Sequence, residues 1–140
     1  MWRVLVVDDE PALREVLKVA LELEGYEVVT ARDGVEALRF LESRDDAWVV
    51  LLDVMMPRMG GLEVCHRLRE TGWAARHRVV LMTAGLLTPE ECPAPARALL
   101  YKPFELATLI RLVSHLAGGM APVSVVPTES FSALGVVPAS

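Results

Sequence analysis

Trp48-Val49-Val50-Leu51-Leu52-Asp53-Val54-Met55-Met56-Pro57 is the stretch that decides the architecture. It is a continuous apolar run, rich in β-branched residues, that ends in one carboxylate. A run without polar alternation reads as a strand buried on both faces, as in a parallel sheet covered by helices. Asp53 falls where such a strand surfaces at its carboxyl end, and ligands of open parallel sheets bind just beyond those ends. Pro57 stops the strand from continuing and stiffens the turn behind Asp53. Taken alone, Asp53 reads equally well as an acid that closes a strand or caps a turn.

Working outward, the same pattern recurs. Arg3-Val4-Leu5-Val6-Val7 is a second apolar run, ending in Asp8-Asp9-Glu10. Pro11 then opens a helix carrying Leu13, Val16, Leu17, Ala20, Leu21 and Leu23, which Gly25 stops. Glu27 to Ala31 predicts a short strand. Asp33 and Glu36 predict a capping box at the head of a helix with Val35, Ala37, Leu38 and Leu41. Behind Gly60-Gly61 comes a helix burying Leu62, Val64, Cys65 and Leu68. Arg78 to Met82 is a fourth strand, ending in Thr83, and Ala98 to Tyr101 a fifth, ending in Lys102-Pro103. Between them Pro89, Pro93 and Pro95 leave room only for a short or broken helix. A last helix is expected from about Glu105 to His115. Strands alternating with helices through short loops predict an α/β fold with a parallel sheet.

Composition narrows the function. The 140 residues suit one domain, and 53% are hydrophobic against 24% charged. A net charge of -5 argues against a nucleic-acid surface. No apolar stretch is long enough to span a membrane. The N-terminus shows no signal peptide, and Cys65 and Cys92 form no disulfide framework, so a cytoplasmic location is expected. Residues 1–117 are expected to form the domain. Residues 118–140 turn to Gly, Pro, Ser and small apolar residues without period, which predicts a disordered tail or linker. His66, His77 and His115 are scattered and suggest no histidine site. Cys65 reads as a small core residue, Trp73 as the cover of a helix end.

The groups just past the strand ends are Asp8 and Asp9, Asp53, Thr83 and Lys102. With strands one, three, four and five side by side, they converge on one crevice. Three crowded carboxylates raise one another's pKa unless a hard cation joins them, and Mg²⁺ suits a few carboxylates plus phosphate and water. One carboxylate can then act as a nucleophile toward a phosphoryl group, with a lysine and a hydroxyl for its oxygens. Each residue singly has a plainer reading: a capping acid, a strand-end threonine, a surface lysine. Four such groups at four strand ends favour the joint reading.

Val6-Val7-Asp8-Asp9-Glu10-Pro11, Leu52-Asp53-Val54-Met55-Met56-Pro57 with Gly61, Met82-Thr83-Ala84 and Lys102-Pro103-Phe104 together resemble the response-regulator receiver domain of two-component signalling. The likeness is to the chemotaxis type and covers roughly residues 2 to 117. It implies a doubly wound, flavodoxin-like sheet of five parallel strands in the order 2-1-3-4-5. It implies that Asp53 accepts a phosphoryl group from a sensor histidine kinase. Asp9, Asp53 and the backbone carbonyl of Met55 would ligate Mg²⁺, with Asp8 acting through water. Thr83 and Lys102 would bind phosphoryl oxygens, and Ala84 would leave the phosphate room. The result would be a monomer or weak dimer that catalyses only its own phosphoryl transfer and signals to a downstream protein partner or effector domain.

The sequence departs from the family pattern in three places. Leu99 stands three positions before Lys102, where the family carries an aromatic switch residue; the aromatic here is Tyr101. The segment from Thr83 to Lys102 is short and proline-broken. Residues 118–140 are too short and too unpatterned to be expected to form an effector domain. Leu99 and the broken fourth helix motivate a second reading, a phosphorylation-independent interaction module. A phosphatase acting on a separate substrate is a third, and no second acid placed after Asp53 serves it.

Overall fold

The computed structural model describes residues 3–72, 76–85, 87–118 and, as backbone, 136–138. β1 (Arg3–Val7), β2 (Glu27–Ala31), β3 (Trp48–Asp53), β4 (Arg78–Thr83) and β5 (Ala96–Tyr101) form a parallel sheet in the order 2-1-3-4-5. α1 (Pro11–Leu23), α2 (Gly34–Glu42), α3 (Gly61–Thr71) and α4 (Leu106–Gly118) cover it. The chain reverses direction across the sheet at β1, which lies between β2 and β3. That reversal opens the crevice at the carboxyl ends of β1 and β3.

The apolar runs fill both faces. Val4, Val6, Val49, Leu51, Val80, Met82 and Leu100 pack with Leu17, Leu21, Leu109, Leu112 and Val113 of α1 and α4. Their sequence neighbours Leu5, Val7, Val50, Leu52, Leu81 and Leu99 turn the other way, onto Ala37, Leu41, Val64, Cys65 and Leu68 of α2 and α3. Every residue of β3 is buried. This is why that strand shows no polar alternation: it has no solvent face. Emptying one such leucine to alanine costs about 2–5 kcal/mol.

Several boundaries differ from expectation. β5 begins at Ala96 rather than Ala98, and α4 runs to Gly118. The expected capping box at Asp33 is half formed. The Asp33 carboxylate accepts from the Glu36 amide at 2.9 Å, but Glu36 reaches back to the amide of Arg32 at 3.2 Å. Between β4 and β5 the described residues hold only one 3-10 turn, Pro89–Glu91, as the prolines require. Within the stretch expected to be a tail, β6 (Val136–Pro138) pairs antiparallel with β5, Val136 opposite Leu100 and Pro138 opposite Ala98. The rest of that stretch, and the expected role of Trp73, lie outside the described residues.

Candidate functional site

The carboxyl ends of β1, β3, β4 and β5 bring the expected residues to one crevice. Asp8, directly after β1, is 0% exposed, and its environment is fully specified. Its amide donates to the Ala31 carbonyl of β2 at 3.2 Å. One carboxylate oxygen accepts from the Glu10 amide at 2.9 Å, the other from Lys102 Nζ at 2.7 Å. Arg14 Nη1 donates to its backbone carbonyl at 2.7 Å. Asp9, one residue on, faces solvent.

Asp53 ends β3 and is 5% exposed. Backbone geometry holds it from behind: Val54 N–H donates to Met82 O at 2.9 Å and Gly61 N–H to Val54 O at 3.0 Å. A Cβ on Gly61 would lie 2.6 Å from the Asp53 carbonyl, so only glycine lets α3 start this close to the strand end. Lys102 Nζ stands 3.5 Å from Asp53 Oδ1 and so bridges Asp8 and Asp53. Burial, then the charge of Asp8, push the Asp53 carboxyl up to about 6 against the pull of Lys102. For Lys102, burial acts to lower the pKa. The hydrogen bond to Asp8 and the Asp53 and Asp8 charges outweigh it and raise the pKa.

Asp8, Asp9 and Asp53 each offer a carboxylate oxygen, all within 4.8 Å of one another. Three acids against one ammonium leave an excess of negative charge around hard oxygen donors, the donor set that Mg²⁺ takes. Met55 lies two residues past Asp53 on the rim, with its side chain 73% exposed. Thr83 is buried at the end of β4; its Oγ1 accepts from the Gly85 amide at 2.9 Å, and its carbonyl from the Lys102 amide at 2.8 Å. Ala84 is exposed beside it. A groove of about 330 Å³, lined by Glu10, Leu13, Ala84, Lys102, Pro103 and Phe104, leads to Lys102 from outside.

Leu99 is fully buried among Leu81, Cys92 and α3 residues. Tyr101 lies on the same face, as strand alternation requires, and its hydroxyl donates to the Leu87 carbonyl at 2.9 Å. One participant and one pairing escaped the sequence reading. Arg14 reaches Asp8 from a helix position whose only signal was its polarity. The Lys102–Asp8 pair joins residues 94 apart in the chain, and no local spacing announces it.

Comparison with known proteins gives a consistent result. The family model described as response regulator receiver domain matches residues 4–114. The response regulator MprA of Mycobacterium ulcerans (strain Agy99) is 48% identical over 116 residues, covering 77% of this chain and 47% of that protein. MprA of Mycobacterium sp. (strain KMS) is 44% identical over 128 residues, covering 86% of this chain and 52% of that protein. The chain thus spans about half the length of the curated relatives it matches. Among solved structures, the response regulator TrrA from Thermotoga maritima in complex with Mg(2+)-BeF is similar at a TM-score of 0.67 and 35% identity. That match covers 83% of this chain and 99% of the other. A CheY-like receiver domain protein from Methanospirillum hungatei JF-1 gives a TM-score of 0.70 at 25% identity, covering 84% of this chain and 94% of the other. With its sheet order, its acidic crevice and a family match over most of its length, this chain belongs to the response regulator receiver domain family.

Proposed function

We propose that Asp53 is the phosphoacceptor of this receiver domain, that Asp8, Asp9, Asp53 and the Met55 carbonyl hold Mg²⁺, and that Thr83 and Lys102 bind the phosphoryl oxygens. The observation that carries this is the clustering of three carboxylates within 4.8 Å, with one lysine spanning Asp8 and Asp53. When bound, Mg²⁺ neutralises the crowded carboxylates and withdraws charge from the transferring phosphoryl group.

The chain's own residues do the rest. Asp53 Oδ, as the carboxylate, attacks phosphorus of a phosphohistidine on the sensor kinase. The P–O bond to Asp53 forms as the P–N bond breaks, and the imidazole leaves with the bonding pair. Lys102 turns from Asp8 toward the equatorial phosphoryl oxygens, and the Thr83 hydroxyl donates to another. Water later hydrolyses the acyl phosphate and restores the carboxylate. The chemistry is performed on the protein itself rather than on a separate substrate.

Receiver domains work with histidine kinases and effectors, and two surfaces fit those roles here. Val16, Val19 and Leu23 form an exposed apolar stripe along α1, whose first turn follows the acid pair; we assign it to the kinase. The connection between β4 and β5 is tied to the site through the Gly85 amide on Thr83 and to β5 through the Leu87 carbonyl on Tyr101. A shift of Thr83 toward phosphate frees the Gly85 amide and moves this segment, which is the signal a downstream partner reads. Tyr101 supplies an aromatic anchor on the face where Leu99 fills the core. A phosphorylation-independent module is not favoured, because no group of the expected site is missing. Among the described residues no helix is long and apolar enough to cross a membrane, and we place the domain in the cytoplasm as a monomer or weak dimer.

The test is intact mass after incubation with acetyl phosphate and Mg²⁺. Wild type should gain one phosphoryl group and Asp53→Asn none. Absence of the adduct in folded wild type would overturn the assignment.

A further inference from the structure

We infer that Asp33 and Arg58 are positioning residues for the metal site, acting on the loop between β3 and α3 that presents the Met55 carbonyl. This rests on the reading of Asp53 as an Mg²⁺-dependent phosphoacceptor and extends it to residues outside the crevice.

Residues 54–60 carry Met55; Val54 N–H to Met82 O at 2.9 Å ties the start of this loop to β4, and Met59 N–H to Pro57 O at 2.8 Å and Gly61 N–H to Val54 O at 3.0 Å fold it on itself. The anchor at its far end is the head of α2. Gly34 N–H donates to Met59 O at 2.9 Å, and a Cβ on Gly34 would stand 2.5 Å from that same oxygen, so the approach is open only to glycine. One residue earlier, the Asp33 carboxylate is used twice. One oxygen caps α2 through the Glu36 amide, and the other faces Arg58 Nε at 3.4 Å.

Two features separate this pair from an ordinary surface ion pair. Asp33 is only 3% exposed, so its charge is largely removed from water, while the Arg58 side chain opposite it is half exposed. Arg58 has φ +68, a left-handed conformation that a residue with a Cβ adopts at an energetic penalty and that glycine would take freely. The chain nonetheless places an arginine there, and its charge lies across from Asp33.

The same turn also reaches the opposite wall of the crevice. Ala31, two residues before Asp33, accepts the Asp8 amide at 3.2 Å. The connection between β2 and α2 therefore touches both the backbone of the acid pair and the loop bearing the carbonyl donor. It sets the distance between them. Mg²⁺ demands near-octahedral geometry and tolerates a displaced ligand poorly, so loosening this connection weakens the metal before it weakens the fold.

The experiment uses the full chain. Asp33→Asn keeps a good helix cap and removes the charge; Arg58→Gly removes the guanidinium and relieves the backbone; Arg58→Lys keeps a cation. Mg²⁺ is titrated by calorimetry into each. Asp33→Asn and Arg58→Gly should each raise the dissociation constant about tenfold, the double variant no further, and Arg58→Lys should recover most of the loss. Without metal, the Gly34 amide should exchange faster with deuterated solvent in both weakened variants. A dissociation constant and Gly34 exchange equal to wild type would overturn the inference and leave Asp33 a helix cap. If wild type itself binds no Mg²⁺, the underlying metal-site reading falls, and this inference with it.

Discussion

The two ends of the sheet use the same side chains to opposite effect. At the amino-terminal rim, Asp46 takes Arg3 Nη1 at 2.6 Å, Arg44 at 3.2 Å and the indole N–H of Trp48 at 2.9 Å. Arg44 also lies over the rings of Phe40 and Trp48, at 5.3 Å and 5.4 Å from their centroids. Hydrogen bonds from Arg44 and then Trp48 hold the Asp46 carboxyl well below the usual carboxylate range. At the carboxyl-terminal rim Asp8 and Asp53 share one lysine with Asp9 close by, and Asp53 is pushed up to about 6. One aspartate is satisfied where it stands; the other is held in a negative charge excess that a divalent cation would relieve. The first end consolidates the fold, and the second is maintained at the fold's expense.

The largest effect follows from removing that excess. In metal-free buffer at pH 7, Asp53→Asn should stabilise the domain by on the order of 1–3 kcal/mol, read from urea unfolding, although it abolishes phosphorylation. An unchanged or reduced stability would contradict the charge-excess account. Mg²⁺ should narrow the gap by stabilising wild type alone.

The second effect is in the pH dependence, where the two ends oppose each other. Asp53 has an ordinary value of 3.8 and a folded value of about 6, so the folded state keeps the proton longer. Its contribution to stability therefore falls as pH rises from about 4 to 6. His77, buried at the other end with its Nδ1 accepting from the Trp48 amide at 3.2 Å, is lowered from 6.5 to about 4, mainly by burial and then by Arg76. It must stay neutral, so its contribution falls as pH drops from 6.5 to about 4. The two slopes cancel in part in metal-free wild type. Asp53→Asn should leave stability rising with pH across that window, and His77→Gln should leave it falling. Parallel profiles in both variants would refute the opposition.

The smallest effect is expected at Asp46, whose side chain stays partly in water. Asp46→Ala should lower the melting temperature slightly and leave phosphoryl uptake from acetyl phosphate as in wild type. A change in uptake would mean that the two ends are coupled through β3.

These contrasts explain what the sequence disclosed. The strands were legible because burial on both faces writes itself as an apolar run, and Asp8, Asp53, Thr83 and Lys102 because each interrupts such a run at its end. The prolines at 89, 93 and 95 announced the missing helix. Charge balance was not legible. What separates Asp46 from Asp53 is Arg3, Arg44 and Trp48 against Asp8 and Asp9; Arg44 and Trp48 are near in the chain, but Arg3, Asp8 and Asp9 arrive only through the pairing of β1 with β3. Likewise Asp33 was visible as a cap but not as the partner of Arg58, because that pairing needs a left-handed residue in a loop no periodicity describes. β6 escaped because three residues carry no alternation to detect.

That short strand bears on how the protein behaves in a crowded solution. A sheet border is a row of free amides and carbonyls, a template on which other chains can assemble. Along β5 the border is taken by Val136–Pro138, and the newcomer ends the row with a proline opposite Ala98, a residue with no amide hydrogen to offer. On this side the sheet thus ends in a short strand that is a poor host for the next one, which leaves β2 as the border where an added strand would find a template.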